Sequence, residues 1–208
     1  SVPGYDDILH NISHFAQRFV KAESQCYDLG CSLGASSLAM SRGIQVPGVK
    51  IIGVDNSRAM LKRCQQHIEA YKHQTEIELH CADILDFEID NASMAVLNFT
   101  LQFIEPAQRE QLLKRVFQGM NSSGVLILSE KVRLEVQEDD QLIIDLHHQF
   151  KRENGYSNLE ISQKRNLLEN VLLPDTLNEH LARLHSIGFS RVCCWQQRYN
   201  FVSIYAVK

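Results

Sequence analysis

The feature that most constrains the fold of this chain is a glycine turn between an apolar run and a helix-forming run. The apolar run ends in Asp28-Leu29-Gly30, and Gly34 then precedes good helix formers from Ala35 to Met40. This pattern predicts a buried strand, a tight turn and the start of a helix. Glycine at both positions leaves the backbone free to turn and lets a ligand touch the main chain. We therefore expect a nucleotide-like cofactor at this turn.

A Gly-x-x-x-Gly turn can also do no more than join a strand to a helix. Neighbouring residues have to show whether this turn binds a cofactor, and of which kind. Asp28 lies two residues before the first glycine, where its carboxylate would repel the pyrophosphate of a dinucleotide. A sulfonium cofactor with an ammonium group would instead be attracted to a nearby carboxylate. The turn therefore favours S-adenosylmethionine over NAD.

A second acid follows at the end of the next predicted strand, Lys50–Asp55. Asp55 lies 25 residues beyond Gly30, in the range where the second strand of a nucleotide-binding unit places a carboxylate against ribose hydroxyls. Asp55 could also cap the helix predicted from Ser57 to Tyr71, and the two roles are compatible.

Three further polar residues occupy positions where a ligand would lie. Asp83 follows the third predicted strand, Glu76–Cys81, and is either an adenine contact or a turn residue. Asn98 follows the fourth, Ala92–Leu97, and is the best candidate for a polar group near the reacting centre. Tyr5 precedes an amphipathic helix and could either reach a ligand or pack.

Strand and helix patterns alternate five times, which predicts an α/β fold with a mostly parallel sheet covered by helices on both faces. The remaining predicted elements are a helix from Asp6 to Val20, a helix from Pro106 to Gly119, a turn at Asn121–Gly124, a strand Val125–Ser129, a helix Asp175–Ile187 ended by Gly188, and an antiparallel pair, Arg191–Trp195 and Tyr199–Val207. At 208 residues the chain suits a single domain.

The alternation breaks at about residues 134–170, where two polar helices, Asp139–Lys151 and Leu159–Asn170, are predicted. An insertion here can form a lid over the cofactor. The insertion concentrates positively charged residues. They form either a solvated helix face or a binding site for a small polyanion. The charged residues are Lys151, Arg152, Lys164 and Arg165.

Composition excludes several classes of function. A net charge of −4 argues against a broad electrostatic grip on nucleic acid. The six cysteines have no C-x-x-C or zinc-type spacing, which indicates reduced core thiols and a cytoplasmic protein. Adjacent His147 and His148 would point about 100° apart on a helix, so no metal site is expected. No run of about 18 apolar residues suggests a membrane span.

The cofactor-loop residues together resemble a class I S-adenosylmethionine-dependent methyltransferase, a Rossmann-like fold with a seven-stranded sheet. More narrowly, the chain resembles the bacterial carboxy-S-adenosyl-L-methionine synthases along essentially its whole length, and the lid run is the specific part. The motifs are Ser1-Val2-Pro3-Gly4-Tyr5, Asp28 to Gly34, Val54 to Ser57, Ala82-Asp83, Leu97 to Phe103, His147-His148, Phe150-Lys151-Arg152, Asn154-Gly155-Tyr156-Ser157 and Ile161-Ser162-Gln163-Lys164-Arg165.

The resemblance implies that the methyl group of S-adenosylmethionine is carboxylated, with prephenate as the source of carbon dioxide and phenylpyruvate as the second product. It implies that a partner enzyme then uses the carboxymethyl group to modify wobble uridine in transfer RNA. It also implies a homodimer whose lid arginine reaches the neighbouring site. Family members carry a segment ahead of Ser1, so the chain is expected to lack one.

The resemblance also assigns the site. Arg165 is expected to bind the added carboxylate and to act as the catalytic cation. The cofactor contacts are expected at Tyr5, Gly30, Cys31, Ser32, Asp55, Asn56, Asp83, Ile84 and Asn98.

Two other functions fit parts of the sequence. The first is conventional methyl transfer to a small molecule or RNA, although Asn98-Phe99-Thr100-Leu101 is not the Asn-Pro-Pro-Tyr of amino-group methylation. The second is a non-catalytic module that binds S-adenosylmethionine and acts through protein interactions.

Overall fold

A sheet of seven strands forms the centre of the computed structural model, which describes residues 2–169 and 171–208, with side chains of 164–169 outside that description. The strand order is β3-β2-β1-β4-β5-β7-β6. The first five strands are parallel, and β7 is antiparallel to both β5 and β6. The strands are β1 Gln25–Leu29, β2 Lys50–Asp55, β3 Glu76–Cys81, β4 Ala92–Asn98, β5 Met120–Lys131, β6 Arg191–Arg198 and β7 Phe201–Val207. The predicted fold class is confirmed.

Helices cover both faces of this sheet because successive strand side chains point to opposite sides. In β1, Tyr27 and Leu29 enter one core with helix side chains such as Leu112 and Leu184, whereas Cys26 enters the other with Ile12. The helices are α1 Tyr5–Phe19, α2 Ala35–Gly43, α3 Arg58–Glu69, α4 Pro106–Gly119, α5 Gln137–Glu153, α6 Asn158–Glu169 and α7 Leu177–Ile187.

One predicted turn was wrong. The residues Asn121–Gly124 have turn composition, but β5 runs through them from Met120 to Lys131. The pairing of β5 with β4 is irregular between Ala92 and Met94, and Ser123 has a φ of 63°. An irregular stretch inside a strand uses the same residue types as a turn, which explains the error.

The cysteines only partly match the prediction of core thiols. All six are free; Cys26, Cys31 and Cys64 are buried, whereas Cys81 and Cys193 are exposed. Position along a strand does not determine burial when that strand lies at the edge of the sheet, as β3 and β6 do.

The predicted insertion consists of α5 and α6, which lie between β5 and β6 in the chain. The His147 ring of α5 meets the Phe201 ring of β7 edge-on, with centroids 4.8 Å apart. No helix in the described ranges has both the length and the apolar character that a membrane span requires.

Candidate active site

A cavity of about 640 Å³ opens at the carboxyl ends of the parallel strands. It lies where the strand order reverses between β1 and β4, the usual ligand position in open α/β sheets. A cavity of this size suits a nucleoside-containing ligand. Its wall includes Tyr5, Gly30, Ser32, Asp55, Asn56, Asp83, Ile84, Asn98, Thr100, Phe103 and Gln108.

The glycine turn after β1 brings bare backbone to this cavity. Gly30 has a φ of 80°, and a Cβ added there would lie 2.5 Å from the side chain of Thr100. The Gly30 and Cys31 amides both donate to the Val54 carbonyl oxygen, at 2.8 and 3.0 Å, which fixes the turn against β2. Both the positive φ and the contact with Thr100 exclude any larger residue at position 30.

Asp55 connects two loops of the cavity wall. Its Oδ2 accepts a hydrogen bond from the Ser32 amide at 3.0 Å, and its Oδ1 accepts one from the Ser57 amide at 2.9 Å. Ser57 itself caps α3, because its Oγ accepts from the Met60 amide. Asp55 is therefore not the capping residue, and its carboxylate retains acceptor capacity for ligand hydroxyls.

The side-chain amide of Asn98 presents a buried oxygen acceptor at the cavity. Its Nδ2 donates to Ser36 Oγ at 3.1 Å, whereas its Oδ1 is buried and has no partner among the described residues. A buried acceptor without a donor is costly in free energy. This oxygen and the bare Gly30 backbone both fit S-adenosylmethionine, whose ammonium group can donate to the Asn98 oxygen.

Glu130, at the end of β5, holds the loop after β4. The loop begins with Phe99, whose φ is 61°, and includes a 3₁₀ turn at Leu101–Phe103. The fully buried Glu130 carboxylate accepts hydrogen bonds from the Leu101 and Gln102 amides, both at 2.9 Å. Burial raises its pKa to about 8. Neither the charge nor the spacing of Glu130 in the sequence signals this contact.

Asp28 lies behind the cavity wall rather than on it. The Ser37 hydroxyl donates to its Oδ2 at 2.6 Å, and burial raises its pKa to about 6. Burial, with a smaller contribution from Asp28, also raises the pKa of Tyr5. The sequence analysis expected this carboxylate near the cofactor; in the structure it lies just behind the wall, where it accepts a hydrogen bond from Ser37 of α2 and acts electrostatically on Tyr5 of the wall.

Most of the predicted contact residues line the cavity, with two exceptions. Cys31 packs in a cluster with Cys64 and Leu61 instead, and the side chain of Arg165 lies outside the described residues. The wall residues that the sequence analysis missed are Ala82, Leu85, Phe99, Thr100, Phe103, Ile104, Glu105 and Gln108. Several of these lie between Asn98 and Pro106. The length of this loop, at the end of a strand, was the sequence feature that could have indicated that it lines the cavity.

Aromatic rings connect the cavity wall to α5. Ring centroids are 6.3 Å apart for Tyr5 and Phe99 and 6.0 Å apart for Phe99 and Phe201. Phe201 in turn contacts His147 of α5. His147 of α5 is therefore linked through these rings to the wall of the cavity.

A second cavity, of about 480 Å³, lies at the opposite edge of the sheet. Its wall comes from residues 88–91 and 118–121 and from Arg115, at the amino ends of β4 and β5. Open α/β sheets bind ligands at the other edge, so the first cavity is the candidate active site.

The strand order, the glycine turn and the acid at the end of β2 give this chain the fold of the class I S-adenosylmethionine-dependent methyltransferases. The family described as "Methyltransferase domain" matches residues 27–124. The structure of magnesium protoporphyrin IX methyltransferase from Synechocystis with bound S-adenosylmethionine is 15% identical, with a TM-score of 0.62 over 99% of this chain and 80% of that one.

Two curated proteins named carboxy-S-adenosyl-L-methionine synthase are similar to this chain along its whole length. The protein from Yersinia enterocolitica is 53% identical over 100% of this chain and 78% of that protein. The protein from Photorhabdus laumondii is 55% identical over 100% of this chain and 82% of that protein. The chain belongs to the carboxy-S-adenosyl-L-methionine synthase family.

Proposed function

We propose that this protein carboxylates the methyl group of S-adenosylmethionine, with prephenate as the source of carbon dioxide. The observation that carries the proposal is the identity of at least 53% with carboxy-S-adenosyl-L-methionine synthases over all 208 positions, lid helices included. The proposal is also supported by the cavity where the strand order reverses between β1 and β4, because its volume suits a nucleoside-containing ligand.

The reaction balances without an external reagent. Prephenate loses carbon dioxide and hydroxide as its ring becomes aromatic, which gives phenylpyruvate. The hydroxide removes a proton from the sulfonium methyl group and forms water, and the resulting ylide carbon attacks carbon dioxide. The protein therefore has to position two substrates and stabilise charge, and it need not supply a strong base.

The cavity residues have distinct tasks in this proposal. Asp55 accepts from ribose hydroxyls, Asn98 Oδ1 accepts from the ammonium group, and Asp83 lies where adenine would be contacted. Gly30 and Ser32 present backbone to the methionyl part. These assignments rest on the positions of the side chains in the cavity wall and on the free acceptor of Asn98.

The lid completes the site in this proposal. Arg165, on α6, pairs with the carboxylates of substrate and product, a task that suits a guanidinium. The chain acts as a single domain and as a homodimer in the cytoplasm, where six free thiols are stable. Its product serves an enzyme that transfers the carboxymethyl group to transfer RNA, and a net charge of −4 gives this chain no broad grip on the RNA itself.

Mass spectrometry of small molecules tests the proposal. Protein incubated with S-adenosylmethionine and prephenate is denatured and extracted, and the control omits prephenate. We expect a species heavier than S-adenosylmethionine by one carbon dioxide, together with phenylpyruvate, only when prephenate is present. Only S-adenosylhomocysteine would indicate conventional methyl transfer, and unchanged S-adenosylmethionine would indicate a binding module.

A further inference from the structure

Two histidines lie side by side on the exposed face of α1. Ile8, Ile12 and Ala16 bury one face of this helix in the core, so the residues on the opposite face point to solvent. His10 and His14 are on that opposite face, and both are exposed. Because they are four residues apart, one lies above the other on successive turns of the helix.

The two imidazole rings are in direct contact. Their centroids are 4.6 Å apart, with the ring planes at 83°, and the two Nε2 atoms are 3.0 Å apart. At this distance one ring donates a hydrogen bond and the other accepts it, so both nitrogens point toward one shared position. A neutral imidazole nitrogen is also the commonest protein ligand of transition metals.

The distance between the two nitrogens fits a single metal ion bound to both. With metal–nitrogen bonds of about 2.1 Å, nitrogens that lie 3.0 Å apart subtend an angle of about 90° at the metal. Neighbouring ligands make this angle in the square-planar and tetragonal complexes of Cu²⁺ and Ni²⁺. A tetrahedral zinc ion would need the nitrogens about 3.4 Å apart. The spacing therefore favours Cu²⁺ and Ni²⁺ over Zn²⁺.

Water completes the coordination of such an ion. Within the part of the chain that the structure describes, no third His, Cys, Asp or Glu joins the pair. Structural metal sites have a full set of protein ligands, whereas a site with open positions keeps water or another small ligand on the metal. An ion at this pair is therefore exchangeable, and its affinity comes from the two rings acting together.

The pair is separate from the cavity of the proposed function, whose wall includes neither histidine. It lies on the same helix as one wall residue, because α1 begins at Tyr5. An ion bound to both histidines joins two turns of α1 and requires the helical conformation. Since such an ion binds the folded chain in preference to the unfolded one, it stabilises the fold by mass action.

We propose that His10 and His14 form a two-histidine site for a divalent transition metal of the Cu²⁺ and Ni²⁺ class. From the sequence no metal site was expected, on the ground that the adjacent His147 and His148 diverge on a helix. The signal that indicates this site is a spacing of four residues within an amphipathic helix, which brings two histidines to one face.

Isothermal titration calorimetry with nickel chloride on the full chain tests the site. The parent protein carries Cys81→Ser and Cys193→Ser, which remove the two exposed thiols as competing metal ligands. We expect one Ni²⁺ per chain, and binding at least 30-fold weaker when His14→Gln is added. The matched control is His185→Gln, which removes an exposed histidine of α7 with no histidine four residues away. It should bind Ni²⁺ as the parent does.

Single and double variants distinguish one shared ion from two independent ligands. If one ion uses both rings, His10→Gln, His14→Gln and the double variant lose the same affinity, because a lone imidazole holds the ion only weakly. Two independent sites would leave each single variant with half of the bound nickel, and that result would overturn the proposal. Unchanged binding by His14→Gln, or an equal loss in His185→Gln, would overturn it as well.

Thermal unfolding gives a second readout. Ni²⁺ at ten times its Kd should raise the Tm of the parent by about 3 °C and leave that of His14→Gln unchanged. An equal shift in both proteins would place the stabilising ion elsewhere and refute the site. Neither measurement uses S-adenosylmethionine or prephenate, so this inference and the proposed function are tested independently.

Discussion

The carboxylate of Asp55 and the amide of Ser32 lie in contact across the cavity wall, with Oδ2 and the nitrogen 3.0 Å apart. This hydrogen bond joins the end of β2 to the glycine turn after β1, while Oδ1 holds the Ser57 amide. Two loops of the cavity wall thus share one side chain.

Asp55→Ala should weaken S-adenosylmethionine binding by about 30-fold or more, because it removes a ribose acceptor and leaves the Ser32 amide unpaired. Isothermal titration calorimetry measures the Kd. Asp86→Ala, which removes an exposed carboxylate five residues after Cys81, is the control and should bind normally. Equal affinities in the two variants would remove Asp55 from the site.

Gly30→Ala should abolish cofactor binding within the measurable range, and Gly155→Ala is its matched control. Both glycines have positive φ, +80° and +85°, but a Cβ at Gly30 meets Thr100 at 2.5 Å whereas nothing lies within 4 Å of one at Gly155. Both variants carry the αL penalty of about 1–2 kcal/mol in unfolding free energy. Only Gly30→Ala should change the Kd, and a loss of binding in both would show that strain alone is responsible.

Arg165→Ala should spare binding of S-adenosylmethionine and weaken binding of carboxy-S-adenosylmethionine by tenfold or more, because only the product carries the added carboxylate. Competition binding with both ligands gives the two dissociation constants. The neighbouring Lys164→Ala provides the control, since it removes one positive charge from the same part of α6. Equal losses for both ligands would refute the assigned role of Arg165.

His180 should make the protein less stable as the pH falls from about 6.5 to about 4. Burial lowers its pKa to about 4 in the folded protein, so in this window the unfolded chain binds a proton that the folded chain does not. The free energy of unfolding then falls by up to about 1.4 kcal/mol per pH unit.

The contribution of His180 is isolated by comparison with His180→Gln. Urea unfolding of both proteins across pH 4–7 should show a smaller slope for the variant. The surrounding charges of Asp175, Arg183, Arg109 and Glu179 are the same in both proteins. Parallel stability curves would contradict the lowered pKa.

Sequence periodicity determined the parts of the fold that depend on local pattern. The bounds of β2, β3 and α4 coincide with those predicted, because each has an apolar run with a clear start or stop. Gly188 ends α7 in the left-handed region with a φ of 118°, as expected of a C-cap. Local chemistry was sufficient at these positions.

Contacts between distant residues could not be predicted in the same way. Glu130 and Leu101 are 29 positions apart, and Arg109 and Leu173 are 64 apart. The sequence alone does not show whether a glutamate or an arginine is buried. Its partners are brought to it only by the folded arrangement of the loops. Most of the residues predicted to contact a cofactor line the cavity, and they could be named in advance because they lie in family motifs, whereas the residues that support their loops have no motif.

The placement of β7 between β5 and β6 also constrains the order of assembly. Strands β6 and β7 form a hairpin across Tyr199 and Asn200, and within the described sheet this hairpin joins the other strands only where residues 201–207 pair with β5. That step closes a loop of about 70 residues, a slow event in folding kinetics. Because α5, α6 and α7 all lie within that loop, the lid should reach its final position only late in folding, after the parallel half of the sheet is complete.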